Sequence, residues 1–181
     1  SVYNENILAL WATTVTGRPV KWTSDRTEAF QSDTQGRDNV TTGELALDNN
    51  GNFLGMRVKI IGNVGAYVTQ AAGGPLTINL GTLAGVYTTP AIHVDVSAVF
   101  TNTNSTAPYR GAGRPEVAYI IERLIDTAAA EMGIDPIELR RRNTIPATSM
   151  PYKTALTFVY DSGMFEKNMD DALRLADRGN F

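Results

Sequence analysis

The segment 108–143 constrains the fold of this chain more than any other stretch. It holds a loop of small residues at 110–113 and then a run of apolar residues with helical spacing. Apolar side chains that recur at i, i+3, i+4 and i+7 predict an amphipathic helix with one face in the core. Those side chains are Val117, Ile120, Ile121, Leu124, Ile125, Ala128, Ala129 and Met132. Pro115 suits the first turn of this helix and Gly133 its end, so the segment predicts a loop that opens directly into a long helix.

The remainder of the chain predicts helices and strands in mixed order. Helices are predicted over 4–16, 26–31, 75–83, from 135 onward and over 162–177, and strands over 20–23, 39–47, 53–61 and 91–102. The first helix has an apolar side made of Ile7, Leu8, Leu10, Trp11 and Val15. The pair Asn50-Gly51 between two strand-forming runs indicates a β-hairpin. We therefore predict an α+β fold, with a mixed sheet, a β-hairpin and packed helices, in a single domain over 1–181.

The net charge of −3 and the absence of cysteine exclude several classes of function. A chain with no basic excess is a poor partner for nucleic acid. Without cysteine, these residues form no disulfide, ligate no iron–sulfur cluster and supply no thiol nucleophile. No run has the length of a membrane span and the N-terminus lacks the form of a signal peptide, so we expect a cytoplasmic protein, with a periplasmic one left open. Because the chain opens at Ser1 just before a predicted helix, we also expect a fragment of something longer.

Few residues carry recognisable chemistry. No Ser/His/Asp set, carboxylate pair or metal-ligand cluster can be assembled, and the single histidine, His93, is expected to be structural or solvated. The glycine-rich stretch 62–75 lacks the spacing of a phosphate-binding loop, which favours tight turns and close packing. What remains is the loop 110–113, Arg-Gly-Ala-Gly, whose position before a helix favours an anion or oxyanion. An ordinary glycine-rich helix entry is the other explanation.

One set of motifs points to a family. The central ones are Arg-Gly-Ala-Gly-Arg-Pro-Glu at 110–116, Tyr-Ile-Ile-Glu-Arg at 119–123 and Asp-Pro-Ile-Glu-Leu-Arg-Arg-Arg-Asn at 135–143, supported in order by 17–22, 25–26, 36–38, 65–67, 101–102 and 160–163. Together they resemble the molybdenum-binding subunit of the molybdenum hydroxylases. That family comprises xanthine dehydrogenase, aldehyde oxidase and aerobic carbon monoxide dehydrogenase. The resemblance runs the whole length of the chain.

The resemblance implies part of a molybdopterin-binding domain of the aldehyde oxidase/xanthine dehydrogenase type. It implies molybdopterin, in the cytosine dinucleotide form, with molybdenum, and hydroxylation of an aldehyde or N-heterocycle with oxygen from water. Iron–sulfur and FAD subunits or domains would be the electron-transfer partners. A glycine-rich loop before Ser1 and a catalytic glutamate beyond the chain are also implied, so the fragment alone is expected to be inactive, and exposed apolar surface would allow a homo-oligomer. The alternative is a non-catalytic binding or interaction module that retains the fold.

The same resemblance assigns site residues in this chain. Arg110, Gly111, Ala112 and Gly113 are expected to bind the cofactor, and Ala112 and Ile78 to lie in the substrate pocket; no catalytic residue or metal ligand is expected. Copper-type carbon monoxide dehydrogenases carry a cysteine where this chain has Gly111. Xanthine-oxidising members carry a phenylalanine where it has Ala112 and an arginine near Ile78. We therefore expect neither copper-dependent oxidation of carbon monoxide nor a purine substrate.

Overall fold

The computed structural model describes residues 4–69 and 71–180, which form helices around a mixed sheet. Six helices follow the chain order: α1 Asn4–Thr16, α2 Arg26–Ser32, α3 Gly74–Thr77, α4 Arg114–Met132, α5 Pro136–Asn143 and α6 Phe165–Leu175. Five strands lie between them: β1 Asn39–Leu47, β2 Phe53–Gly65, β3 Ile92–Phe100, β4 Tyr152–Lys153 and β5 Val159–Tyr160. Single 3-10 turns occupy Leu80–Ala84, Ala147–Ser149 and Arg178–Asn180. The predicted α+β class is confirmed.

The main sheet has three strands in the order β1-β2-β3. Strands β1 and β2 pair antiparallel, with Thr42 opposite Lys59, and β2 and β3 pair parallel, with Val58 opposite Val94. A parallel pair needs a crossover connection, and here residues 66–91 supply it. The sheet is therefore mixed, as predicted, and its crossover passes close to the loop before α4.

The turn between β1 and β2 is built by Asp48. Its carboxylate accepts the N–H groups of Asn50 and Asn52, both at 2.9 Å. Gly51, at φ +83°, supplies the left-handed residue that the turn needs. The hydrogen bonds to Asn52 hold the pKa of the Asp48 carboxyl below its usual range. The predicted hairpin is present, and turn chemistry explains it.

Helix α4 covers one face of the sheet and, with β2, supplies most of the buried core residues. Its buried side chains are Val117, Ile121, Ile125, Ala128 and Ala129, and they belong to one hydrophobic cluster with Met56, Val58 and Ile60 of β2. Leu124 lies directly over Gly43 of β1, where a Cβ would come within 2.9 Å of a Leu124 methyl. Each large aliphatic side chain buried in this way contributes about 1.5–3 kcal/mol. The helical periodicity therefore identified the core correctly.

Helix α5 is fastened to the β1–β2 turn by Asn143, whose side chain is 2 % exposed. Its amide oxygen accepts the Phe53 N–H at 2.7 Å, and its amide nitrogen donates to the Gly51 and Leu139 carbonyls. At the other end of α5, Asp135 caps the helix by accepting the N–H groups of residues 137 and 138. Both ends of the second helix are thus fixed by side chains.

Three sequence-based predictions of elements are wrong. Residues 20–23 pair with no strand in the described part of the chain, and they run as irregular backbone after Pro19. The helix predicted over 75–83 is broken into α3 and a 3-10 turn at Asn79. The last helix begins at Phe165 rather than at Ser162, whose hydroxyl hydrogen-bonds Asp161 instead of capping the helix.

Helix α1 forms where it was predicted but buries no residue within the described structure. Leu10, Trp11 and Val15 of its apolar side are each more than half exposed, with Trp11 at 63 %. Amphipathic periodicity indicates which side of a helix packs, not what it packs against. Among residues 4–69 and 71–180, no helix is long and apolar enough to cross a membrane.

Candidate functional site

The loop that precedes α4 has an unusual backbone. Three consecutive residues, Gly111, Ala112 and Gly113, have φ values of +94°, +46° and +102°. Two hydrogen bonds between residues three apart close the loop, from the Ala112 N–H to the Tyr109 carbonyl at 2.7 Å and from the Arg114 N–H to the Gly111 carbonyl at 3.1 Å. Alanine is disfavoured in the left-handed region, and strain of this kind is concentrated at ligand sites.

Both glycines of the loop are required by space as well as by φ. A Cβ at Gly113 would overlap the carbonyl oxygen of Pro75, at the start of α3. A Cβ at Gly111 would come within 2.6 Å of the Pro115 ring. Small residues in this motif therefore let the loop pack against α3 and against its own helix.

Side chains from two distant segments hold the carbonyl groups of the loop. Arg37, between α2 and β1, donates from Nη2 to the Arg110 carbonyl. Asn79, in the crossover connection, donates from Nδ2 to the Ala112 carbonyl. Two carbonyl groups of the loop are therefore already hydrogen-bonded, and a ligand would contact the N–H groups of the loop instead.

Several hydrogen-bond donors of the loop have no acceptor in the described part of the chain. The Gly111 and Gly113 N–H groups have no acceptor there, although Gly113 is buried, and the exposed Arg110 guanidinium has no hydrogen bond or ion pair. A buried N–H without a partner is rare in folded proteins. These groups suit an anion or an electron-rich oxygen, which is the chemistry that a pterin–molybdenum cofactor presents.

The other predicted site residue, Ile78, lies at the end of α3 with its side chain 75 % exposed. It is adjacent to Asn79, so it belongs to the segment that reaches the loop. His93 is exposed on β3, as expected for a solvated histidine. No group of three or more metal-ligating side chains occurs among the residues that the structure describes.

Sequence reasoning missed Arg37, Asn79 and Glu116. Arg37 and Glu116 line a cavity of about 530 Å³ between β1 and α4, whose walls are otherwise mainly apolar and include none of residues 110–113. Glu116 Oε2 is buried without a hydrogen-bond partner, and Arg37 Nε lies 3.5 Å away. Arg37 and Glu116 lie in the motifs at 36–38 and 110–116, which indicated the resemblance but not this contact, and no motif included Asn79.

A second cluster of ionisable groups, at Tyr87, Glu122, Asp126 and Arg140, is structural. Burial, with a further contribution from Glu122, raises the pKa of Tyr87 above its usual range. The neutral phenol donates to Glu122 at 2.9 Å, and Arg140 bridges Glu122 and Asp126. Each member has a partner, and the cluster joins α4 to α5 without an open position for a ligand.

Comparison with known proteins identifies the domain that carries this loop. Residues 1–144 match the family model of the molybdopterin cofactor-binding domain. The chain belongs to this family. The expected relationship to the molybdenum hydroxylases is thereby confirmed.

Individual relatives agree with the family match. The chain is 40 % identical to the gamma subunit of a 6-hydroxypseudooxynicotine dehydrogenase complex of Paenarthrobacter nicotinovorans, over 97 % of this chain and 23 % of that protein. It is similar in structure to quinoline 2-oxidoreductase from Pseudomonas putida 86, with a TM-score of 0.91 and 29 % identity over 98 % of this chain and 23 % of that one. A Cu,Mo-CO dehydrogenase gives a TM-score of 0.89 and 33 % identity, over 99 % and 23 % respectively. The chain thus spans about a quarter of these proteins.

Proposed function

We propose that the chain forms one wall of a molybdenum–pterin site in an oxidoreductase that hydroxylates an aldehyde or an N-heterocycle with oxygen from water. Arg110, Gly111, Ala112 and Gly113 bind the cofactor in this proposal, and Ala112 and Ile78 border the substrate. The observation that carries it is the set of donors on the loop 110–113, which no acceptor in the described chain uses.

The chemistry of oxidation belongs to the cofactor. When bound, the molybdenum–pterin group supplies the two-electron oxidation of the substrate carbon. The residues of this chain bind and orient. The Arg110 guanidinium and the Gly111 N–H hold electron-rich atoms of the cofactor, and the small side chain of Ala112 leaves room for the substrate. No residue of the chain is assigned as a proton acceptor.

The substrate class follows from what the loop lacks. Ala112 offers no aromatic face for a purine, and Ile78 offers no cation, so we favour an aldehyde or a bulkier heterocycle. Two of the relatives described above, a 6-hydroxypseudooxynicotine dehydrogenase subunit and a quinoline 2-oxidoreductase, carry names of non-purine N-heterocyclic compounds, which supports that choice for this chain. The exclusion of copper-dependent oxidation of carbon monoxide depends on Gly111 alone. The similarity to a Cu,Mo-CO dehydrogenase gives this exclusion no support, and a measurement of bound copper decides it.

The cofactor form and the partners extend the same proposal. We assign the cytosine dinucleotide form of molybdopterin, with iron–sulfur and FAD subunits or domains as electron acceptors. The name of one relative describes a subunit of a complex, which supports the expectation of partner subunits.

The test uses the protein as its gene encodes it, produced in a molybdenum-replete host. We expect about one molybdenum per chain and release of cytidine monophosphate on hydrolysis. Arg110→Ala removes a charge-assisted contact of ~1.5–3 kcal/mol, which should weaken cofactor binding by about tenfold or more, so the variant should carry less molybdenum than the wild type. Arg57→Ala, which removes an exposed arginine paired with Glu44 on the sheet, is the control and should match the wild type.

Two outcomes would count against the proposal, and a third would count against the exclusion of copper. Wild-type protein without molybdenum above background would favour the non-catalytic module. Full molybdenum content in Arg110→Ala would show that the loop arginine is not a cofactor contact. A stoichiometric amount of copper in active protein would overturn the exclusion based on Gly111.

A further inference from the structure

Arg37 contacts both sides of the loop 110–113 with one side chain. Its Nη2 donates to the Arg110 carbonyl, and its guanidinium carbon lies 4.8 Å from the centre of the Tyr109 ring. Its Nε lies 3.5 Å from Glu116 Oε2, in the first turn of α4. A planar guanidinium can make a stacked, a hydrogen-bonded and an ionic contact at once, which a lysine ammonium cannot.

The backbone on both sides of Arg37 is fixed by other hydrogen bonds. Gln35 donates its N–H to Ser105 and accepts the Ala107 N–H at its carbonyl, in a short parallel bridge. Asp38 accepts the Asn63 N–H at its carbonyl, and its carboxylate accepts the Asn63 side chain at 2.7 Å. Between these anchors Arg37 itself has a φ of +63°, a strained value for a residue with a side chain.

We propose that Arg37 is a positioning residue that sets the orientation of the peptide between Arg110 and Gly111, an inference that rests on the function proposed above. The C=O and N–H groups of a trans peptide point in opposite directions. Because the Arg110 carbonyl is held towards Arg37, the Gly111 N–H points away from the Arg37–Glu116 pair and towards the proposed cofactor. Asn79 acts in the same way on the peptide between Ala112 and Gly113.

Hydrogen exchange of the cofactor-free protein, followed by mass spectrometry, tests this role without any ligand. In Arg37→Ala the hydrogen-bonded amides of the loop, those of Ala112 and Arg114, should exchange about tenfold faster, because the loop opens more easily once a charge-assisted hydrogen bond is lost. The peptide covering 118–132 should change by less than about twofold. Arg37→Lys should restore only part of the protection. Glu116→Gln, which removes the ionic contact of Arg37 but no hydrogen bond, should accelerate exchange by much less than Arg37→Ala. Arg57→Ala is the matched control, because it also removes the side chain of an exposed arginine.

A second readout is the molybdenum content, which should fall in Arg37→Ala because cofactor affinity decreases with the fraction of molecules whose loop is correctly oriented, and which should not change in Arg57→Ala. Unchanged exchange at 109–114 would overturn the inference. Equal acceleration at 118–132 would also overturn it, because Arg37 would then stabilise the whole domain. Wild-type protein that binds no molybdenum, but whose loop still responds to Arg37→Ala, would refute the proposed function and retain the positioning role.

Discussion

Replacement of Gly113 by alanine is the most informative single change in this domain, because two separate costs can be calculated for it. A residue with a Cβ in the left-handed region costs about 1–2 kcal/mol, and Gly113 has a φ of +102°. The new methyl group would also overlap the Pro75 carbonyl, and overpacking of this kind adds about 1–3 kcal/mol. The sum, about 2–5 kcal/mol, is a large part of the ~5–15 kcal/mol that stabilises a typical domain.

Two other glycines separate the two costs. Gly133 has a φ of +66°, and no atom lies within 4 Å of the position that its Cβ would take, so Gly133→Ala should cost only the backbone term of about 1–2 kcal/mol. Gly73 has a φ of −79° and equally open surroundings, so Gly73→Ala should stabilise the protein by about 0.4–1 kcal/mol. The three variants therefore form a graded series.

Urea unfolding followed by far-ultraviolet circular dichroism measures the series. Helix content is a better probe than tryptophan fluorescence here, because Trp11 and Trp22 are both largely exposed. We expect Gly113→Ala to be the least stable variant, Gly133→Ala to be intermediate and Gly73→Ala to lie at or above the wild type. If Gly113→Ala were no less stable than Gly133→Ala, the close contact between the loop and Pro75 would be wrong.

The remaining predictions concern helix α5. Asn143→Ala removes three hydrogen bonds and leaves the Phe53 N–H buried, so the free energy of unfolding should fall by ~2–4 kcal/mol. The control Asn102→Ala, at an exposed asparagine, should change it by less than ~0.5 kcal/mol, and similar losses for the two variants in the same urea titrations would contradict the structure. The Glu138 N–H donates to Asp135 and holds the pKa of its carboxyl below the usual range. The charged carboxylate of Asp135 therefore stabilises the fold at pH values above its unfolded-state pKa, and this contribution is lost as the pH falls through its folded-state pKa. Between about pH 6 and about pH 3, the urea concentration at the unfolding midpoint should fall further for the wild type than for Asp135→Asn. Equal falls would refute this prediction.

Local sequence signals predicted those parts of the fold that depend on neighbours in the chain. The spacing of apolar residues along α4, the turn at 48–52 and the cap at Asp135 each involve residues within a few positions of one another, and each is present. The helix predicted over 75–83 failed for a tertiary reason. Gly81 lies against Thr157 and Phe158 of the β4–β5 hairpin, and Asn79 is engaged by the loop before α4.

The same distinction between contacts of chain neighbours and tertiary contacts applies to the site. The loop 110–113 was identified from its residues, but its two anchors were not. Arg37 and Asn79 lie 73 and 33 residues away from the carbonyls that they hold. No periodicity links positions so far apart, because their contact exists only once the sheet and crossover have formed. The exposed side of α1 has a similar explanation, since its sequence pattern carries no information about what lies opposite.

The dependence of the loop on Arg37 and Asn79 bears on its use as a transferable part. Transplanting Arg-Gly-Ala-Gly alone into another helix start would carry over the donors but not the side chains that orient them. A successful graft would need three pieces of chain: the segment around Arg37, the turn at Asn79 and the loop itself with the first turn of α4. The smallest portable unit of this binding wall is therefore three-dimensional, and a designer would have to copy the anchors before the motif.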